Sequence, residues 1–187
     1  MGKVVSLIDF VPYFPYIETS SDNSLQNETY DWVEKQKDLG NKGEKIVELY
    51  LKEKHNSTKV TKQKDDSAGY DLDVDIPGVV PYIEVKTTSE RKKHFLVSYN
   101  EIKVAKEKGS DYQIYFVCLK NKVEGTIYVI ENPFVTLGLN KVFETTNSNN
   151  IARLKIGSIE VEILNFENFK RIDDEISRAV IKQVMDD

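Results

Sequence analysis

The sequence predicts an α/β fold, a mixed β-sheet with helices on both faces, and three observations carry that expectation. Helical and strand-like periodicities alternate along the chain in the order helix, several strands, helix, buried strand. The run Tyr112 to Leu119 is almost continuously apolar, β-branched and aromatic, the composition of a central strand covered on both sides. Two β-rich segments, Tyr70 to Ile76 and Val79 to Thr87, flank Pro77-Gly78, a pair that marks a turn and so predicts a hairpin. At 187 residues, 40% hydrophobic and 30% charged, the chain is long enough to bury one core. The expected divisions are an N-terminal arm and short helix over 1–39, a core over 40–139, and a C-terminal β-hairpin and helix over 140–187 packed on that core.

In order, Met1 to Ser24 mixes aromatics with prolines and reads as an extended arm. A short helix is expected over Asn27 to Asp38, closed by Gly40, and a second from an Asn41 cap to about Lys54, with Ile46, Val47, Tyr50 and Leu51 at three- and four-residue spacings. Thr58 to Gln63 alternates as a strand, and a turn-rich stretch then delivers the chain to the hairpin. After the charged loop Ser89 to His94 and a short strand over Phe95 to Val97, Ser98-Tyr99-Asn100-Glu101 forms a capping box for a helix that stops at Gly109. Thr126 to Ile130 neighbours the central strand, and Pro133 opens a short irregular or helical piece to Leu139. Ile151 to Ile156 and Ile159 to Leu164 alternate around Gly157-Ser158 as a second hairpin. Asp173 caps a last helix carrying Ile176, Val180 and Val184 on one face.

Composition narrows the function. Cys118 is the single cysteine, which rules out a disulfide framework and a cysteine zinc cluster and points to a reducing compartment. The N-terminal apolar run is soon broken by Asp9, Pro12 and Pro15, and no later run is long enough to span a bilayer, so a cytoplasmic protein without membrane contact is expected. The net charge of -5 is unevenly spread. Lys42 to Lys64 carries +4 and Lys86 to Lys122 carries +5, which leaves -14 for the remainder. Positive charge thus gathers around the first hairpin, as a polyanionic partner requires.

The hairpin also holds the chemistry. With a period of two, Tyr82, Glu84 and Lys86 share one face of the second strand, while Ile83, Val85 and Thr87 share the other. Folding brings Asp71 toward Glu84 and Lys86. Phosphodiester hydrolysis needs a nucleophile made from water and stabilisation of the developing charge, and hard divalent ions held by a few carboxylates supply both. Asp71 and Glu84 suit Mg²⁺, for which Mn²⁺ can substitute, with the Val85 carbonyl as a further ligand and Glu44 completing the shell from the preceding helix. Lys86 would orient or deprotonate the attacking water or stabilise charge. Arg91, Lys92 and Lys93 adjoin this centre as candidate contacts to the substrate backbone. Taken bare, the pattern is cheap in a chain rich in Asp, Glu and Lys, and a turn-capping Asp71 beside a surface Glu84 and Lys86 ion pair competes with it.

Context separates the two readings. Gly-x-x-Gly-Glu (Gly40, Gly43, Glu44), Gly-Tyr-Asp (Gly69 to Asp71), Ile-Glu-Val-Lys-Thr (Ile83 to Thr87), Ser-x-Asn-Glu (Ser98, Asn100, Glu101) and a Tyr-rich buried strand resemble, in this order, the domain at the C-terminus of the plant protein NO VEIN. The resemblance spans roughly Gly40 to Pro133 and implies a restriction-endonuclease-like fold of the PD-(D/E)xK group. It implies Glu44, Asp71, Glu84 and Lys86 as active-site residues, with Asp71, Glu84 and Glu44 on the metal, and Gln63 as a polar substrate-side position. The implied activity is Mg²⁺-dependent cleavage of DNA in a restriction or anti-phage setting, beside a helicase or other defence-system subunit. A catalytically silent nucleic-acid or protein interaction module is the alternative, and a nuclease for RNA or modified DNA a third. Homodimerisation through the acidic C-terminal helix stays open.

Overall fold

The computed structural model describes residues 23–65, 67–89, 93–121, 123–141 and 157–186. In chain order the elements are α1 (Asn23–Lys54), β1 (Val60–Lys62), β2 (Leu72–Val74), β3 (Tyr82–Ser89), β4 (His94–Ser98), α2 (Tyr99–Lys108), β5 (Tyr112–Leu119), β6 (Gly125–Glu131), α3 (Pro133–Thr136), β7 (Ser158–Glu162), β8 (Lys170–Ile172) and α4 (Glu175–Asp186). Six strands form one sheet in the order β1-β2-β3-β5-β6-β8. Among the described residues only β3 and β5 run parallel; the other neighbours in this sheet are antiparallel. A parallel pair needs a crossover, and β4 with α2 supplies it.

Alternation along β5 divides the interior in two. Tyr115, Val117 and Leu119 face Ile46, Val47 and Leu51 of α1 and Val180, Ile181 and Val184 of α4. Tyr112, Ile114, Phe116 and Cys118 face Ile102 and Ala105 of α2 together with Phe95 and Val97 of β4. The strand is buried on both faces, as its composition predicts, and the sheet is mixed with helices on each side.

Two local expectations are corrected and a third falls partly outside the described residues. The two expected helices are one: α1 runs unbroken through Gly40 and Asn41, because a glycine inside a helix weakens it by only about 1 kcal/mol and packing of the Ile46 to Leu51 face more than offsets that. The 39/40 division therefore falls inside an element. Ile159 lies on a strand that pairs with β4, Val97 opposite Ile159, and the other half of the expected second hairpin, Ile151 to Ile156, lies outside the described residues. The cap of α4 is Asp174, whose Oδ1 accepts from Ser177 N at 2.9 Å; Asp173 instead pairs with Arg171 and Arg178. Of the expected N-terminal arm, Met1 to Ser24, the stretch Met1 to Asp22 lies outside the described residues, and Asn23 and Ser24 begin α1. No helix among the described residues is long and apolar enough to cross a membrane.

The first hairpin forms with shorter strands than expected. Val79 N donates to Ile76 O at 3.0 Å with Pro77 and Gly78 between, Gly78 at φ 81°, which is a type II turn using both residues in the positions they favour. Beyond it β2 and β3 pair with Leu72 opposite Ile83 and Asp73 opposite Tyr82.

Candidate active site

The site forms where β2 leaves β3. Asp71 N still donates to Ile83 O at 2.9 Å, the last backbone rung. One step on, the Asp71 side chain takes over the ladder: its Oδ2 accepts the Val85 N–H at 2.7 Å. Past this point no strand among the described residues pairs with the β2-side edge of β3, so groups from both faces of the sheet can approach it.

One face delivers Glu84 and Lys86. Lys86 Nζ lies 2.7 Å from Glu84 Oε1 and 2.8 Å from Glu101 Oε2. Glu101 reaches it from the first turn of α2, where it closes a capping box: Ser98 Oγ accepts from Glu101 N, and Glu101 Oε2 accepts from Ser98 N, both at 3.2 Å. The other face delivers Glu44 from α1. Gly43 makes this approach possible, since a Cβ there would lie 1.6 Å from Thr87 Oγ1 and 2.8 Å from Thr87 Cβ. The helix backbone rests directly against β3, and the next residue, Glu44, is ion-paired with Lys62 Nζ of β1 at 2.5 Å.

Charge ties the two sides together. Burial lifts the Asp71 carboxyl to about 6; the Val85 N–H and Lys86 pull it down, while Glu44 and Glu101 push it further up. Asp71 thus senses acids from both faces. Burial likewise drives Glu84 above the ordinary carboxylate range, against the pull of Lys86 and with Asp71 and Glu101 adding to the rise. Burial opposes the charge on Lys86, but Glu84 and Glu101 outweigh it and hold the amine above a free lysine, so it stays an ammonium. The Tyr112 phenol is raised by burial, then by Glu84, Glu101 and Asp71. Its hydroxyl donates to Gly69 O at 2.9 Å, and Asn100 Nδ2 donates to Ser67 O at 2.7 Å, which fastens the loop before Asp71 to the rest of the site. Gly69, at φ 76°, packs so closely on Asn100 and Val104 that a side chain there would collide with them.

The remaining candidates sit apart. Gln63 Nε2 donates to Tyr70 Oη at 3.2 Å and to Asp73 Oδ2 at 3.0 Å, and its Oε1 accepts from Lys64 N and Asp65 N; its amide staples the loop rather than pointing at Glu84. Lys93 is exposed, its amine 5.6 Å from the centre of the Phe166 ring. Arg91 and Lys92 lie outside the described residues. Glu48 is engaged by Lys45 and Lys52, and His94 by Glu160 at 3.7 Å. Glu101 and Tyr112 are the residues the sequence reading did not place in the site. Glu101 was visible as the end of a capping box, with nothing to say that its carboxylate serves a second cation.

No group of three or more His, Cys, Asp or Glu side chains among the described residues is already drawn in to metal-holding distance. The donor set nevertheless fits a hard divalent cation in kind: Asp71, Glu84 and Glu44 offer carboxylate oxygens, and the push of neighbouring carboxylates on Asp71 and Glu84 is what a cation would relieve. Val85 adds to this, because a strand residue directs its N–H and C=O to the same edge, here the one where Asp71 sits.

No curated protein and no solved structure matches the chain. Residues 43–130, the stretch that runs from the Gly43 contact through Glu44, Asp71, Glu84, Lys86 and Glu101 into β6, match the family of Protein NO VEIN, C-terminal.

Proposed function

We propose that this chain carries a Mg²⁺-dependent endonuclease domain of the PD-(D/E)xK group that hydrolyses phosphodiester bonds in DNA, in a restriction or anti-phage setting beside a helicase or other defence-system subunit. The observation that carries the reading is the gathering of Asp71, Glu84 and Lys86 at one edge of β3, with Glu44 close enough on the opposite face to push on the Asp71 carboxyl. The mixed sheet with helices on both faces agrees with the restriction-endonuclease-like architecture that the resemblance implies.

Asp71 and Glu84 would hold the cation, with the Val85 carbonyl and Glu44 beside them. Bound there, a divalent ion would act as a Lewis acid and lower the pKa of a coordinated water. The chain's own contribution is placement and charge. The Val85 N–H fixes Asp71, so that one carboxylate oxygen is committed and the other can turn outward. Lys86, held as an ammonium, serves as a positive partner for developing negative charge on phosphate and not as a proton acceptor. Glu44 begins neutralised by Lys62, whose half-exposed side chain can release it when a phosphate or cation arrives.

Plasmid incubated with Mg²⁺ or Mn²⁺, beside a Lys86→Ala control, tests the proposal. Metal-dependent cleavage lost in the variant supports it; equal cleavage by both proteins is contamination and counts against it. The same ion pairs favour a second reading, a silent binding module, because Glu44, Glu84 and Lys86 each already have a charged protein partner. Salt-dependent DNA binding with no metal-dependent turnover would select that reading.

A further inference from the structure

We infer that Glu101 is the positioning residue for Lys86, holding its ammonium at the edge of β3 independently of Glu84. The inference rests on the nuclease reading of the site.

An ammonium has three donors. Two of those on Lys86 are directed at Glu84 Oε1, at 2.7 Å, and Glu101 Oε2, at 2.8 Å, which leaves one for a ligand. The two anions are not equivalent. Glu84 is assigned to the cation, and an oxygen turned onto a metal no longer fixes the lysine as firmly. Glu101 has no such second task. It is anchored at the first turn of α2, its backbone N–H on Ser98 Oγ and its carboxylate on Ser98 N, so that the same oxygen closes the capping box and holds Lys86. Glu101 shares its turn with Asn100, which clamps the Ser67 carbonyl in the loop leading to Asp71. The start of α2 therefore sets the position of Lys86 with one residue and of the Asp71 loop with its neighbour. A lysine with four freely rotating side-chain bonds would otherwise lose its aim whenever Glu84 changed partner.

A purely capping role for Glu101 can be told apart from this one. Glutamine also serves at the third position of a capping box, so Glu101→Gln keeps the helix start and removes only the charge that binds Lys86. Ser98→Ala does the reverse, weakening the cap while leaving the Ser98 N–H and the Glu101 carboxylate. Two readouts are needed on the full chain. In metal-free protein carrying Glu84→Gln, which weakens the other anchor as a bound cation would, the Lys86 ammonium resonance, followed by nitrogen-15 correlation, should stay sharp alone and with Ser98→Ala and be broadened or lost with Glu101→Gln. In plasmid cleavage with Mn²⁺, Glu101→Gln should lower kcat on the order of a hundredfold with little change in KM, whereas Ser98→Ala lowers Tm and spares kcat. A wild type that cleaves nothing sinks the nuclease reading, while the resonance still decides whether Glu101 holds the lysine. An unchanged resonance with Glu101→Gln, or a loss of kcat in Ser98→Ala equal to that in Glu101→Gln, overturns the inference.

Discussion

Asp71 Oδ2 and the backbone nitrogen of Val85 are 2.7 Å apart, so the residue between Glu84 and Lys86 is pinned by the carboxylate that shares their site. This bond does structural and chemical duty together. It ends the β2 side of the β3 ladder without stranding a buried N–H, and it leaves an acid at the point where the two faces of the sheet become mutually accessible.

Holding that acid in a buried setting lowers stability at neutral pH. With a folded value of about 6 against an ordinary 3.8, the Asp71 carboxyl in the folded chain keeps a proton that the unfolded chain has released between about pH 4 and pH 6. Its contribution is therefore neutral below that window, and stability falls as pH rises through it. Asp71→Asn keeps an acceptor for Val85 and removes the charge. Metal-free melts should show the variant more stable at pH 7.5, by up to about 2 kcal/mol, with the advantage gone near pH 4. A variant less stable than the wild type at pH 7.5 would contradict this.

Two glycines of one motif should respond oppositely to alanine. Gly43→Ala drives a Cβ into Thr87 and should cost about 1–3 kcal/mol by forcing α1 off β3. Gly40 has nothing within 4 Å of the same added atom, so Gly40→Ala should stabilise α1 by about 0.5–1 kcal/mol. Urea unfolding of the pair checks both signs. Thr87→Gly combined with Gly43→Ala should recover part of the loss.

Tyr112→Phe removes the hydroxyl that donates to the Gly69 carbonyl inside the protein. Leaving that acceptor unpaired should cost about 1–3 kcal/mol. Amide hydrogen exchange should report the loosening in the 67–71 loop ahead of the rest of the sheet. Uniform exchange across the sheet would mean that the bond does not hold the loop.

At the far end of α1, Asp174 joins the cap of α4 to Lys54, with Lys54 Nζ at 2.8 Å. Asp174→Ala should destabilise by about 1 kcal/mol, most of it from the cap because the ion pair is solvent-exposed. Asp173→Ala should change Tm less. The reverse ranking would return the cap to Asp173.

How much of this the sequence made legible follows from the range of the interactions. The capping box at Ser98 and Glu101, the type II turn at Pro77-Gly78 and the two-sided burial of Tyr112 to Leu119 are local, and each appears where the residues predict it. Alternation along β3 also assigned Glu84 and Lys86 to one face before any pairing was known. What failed was decided at a distance. Gly40 and Asn41 look like a helix stop and start, but the packing of α1 on the sheet and on α4 carries one helix through them. The pairing of Ile159 with Val97 of β4 was not legible either, since it joins positions far apart in sequence. Glu101 joins the site through a side chain fifteen positions away in sequence, and its capping role already accounted for it locally.

The most direct measurement of the central claim is anomalous scattering from crystals soaked in Mn²⁺. One peak bound by carboxylate oxygens of both Asp71 and Glu84, absent from Asp71→Asn crystals, is the result this account requires. Manganese found only on surface acids, with Glu84 still closed on Lys86, would contradict it.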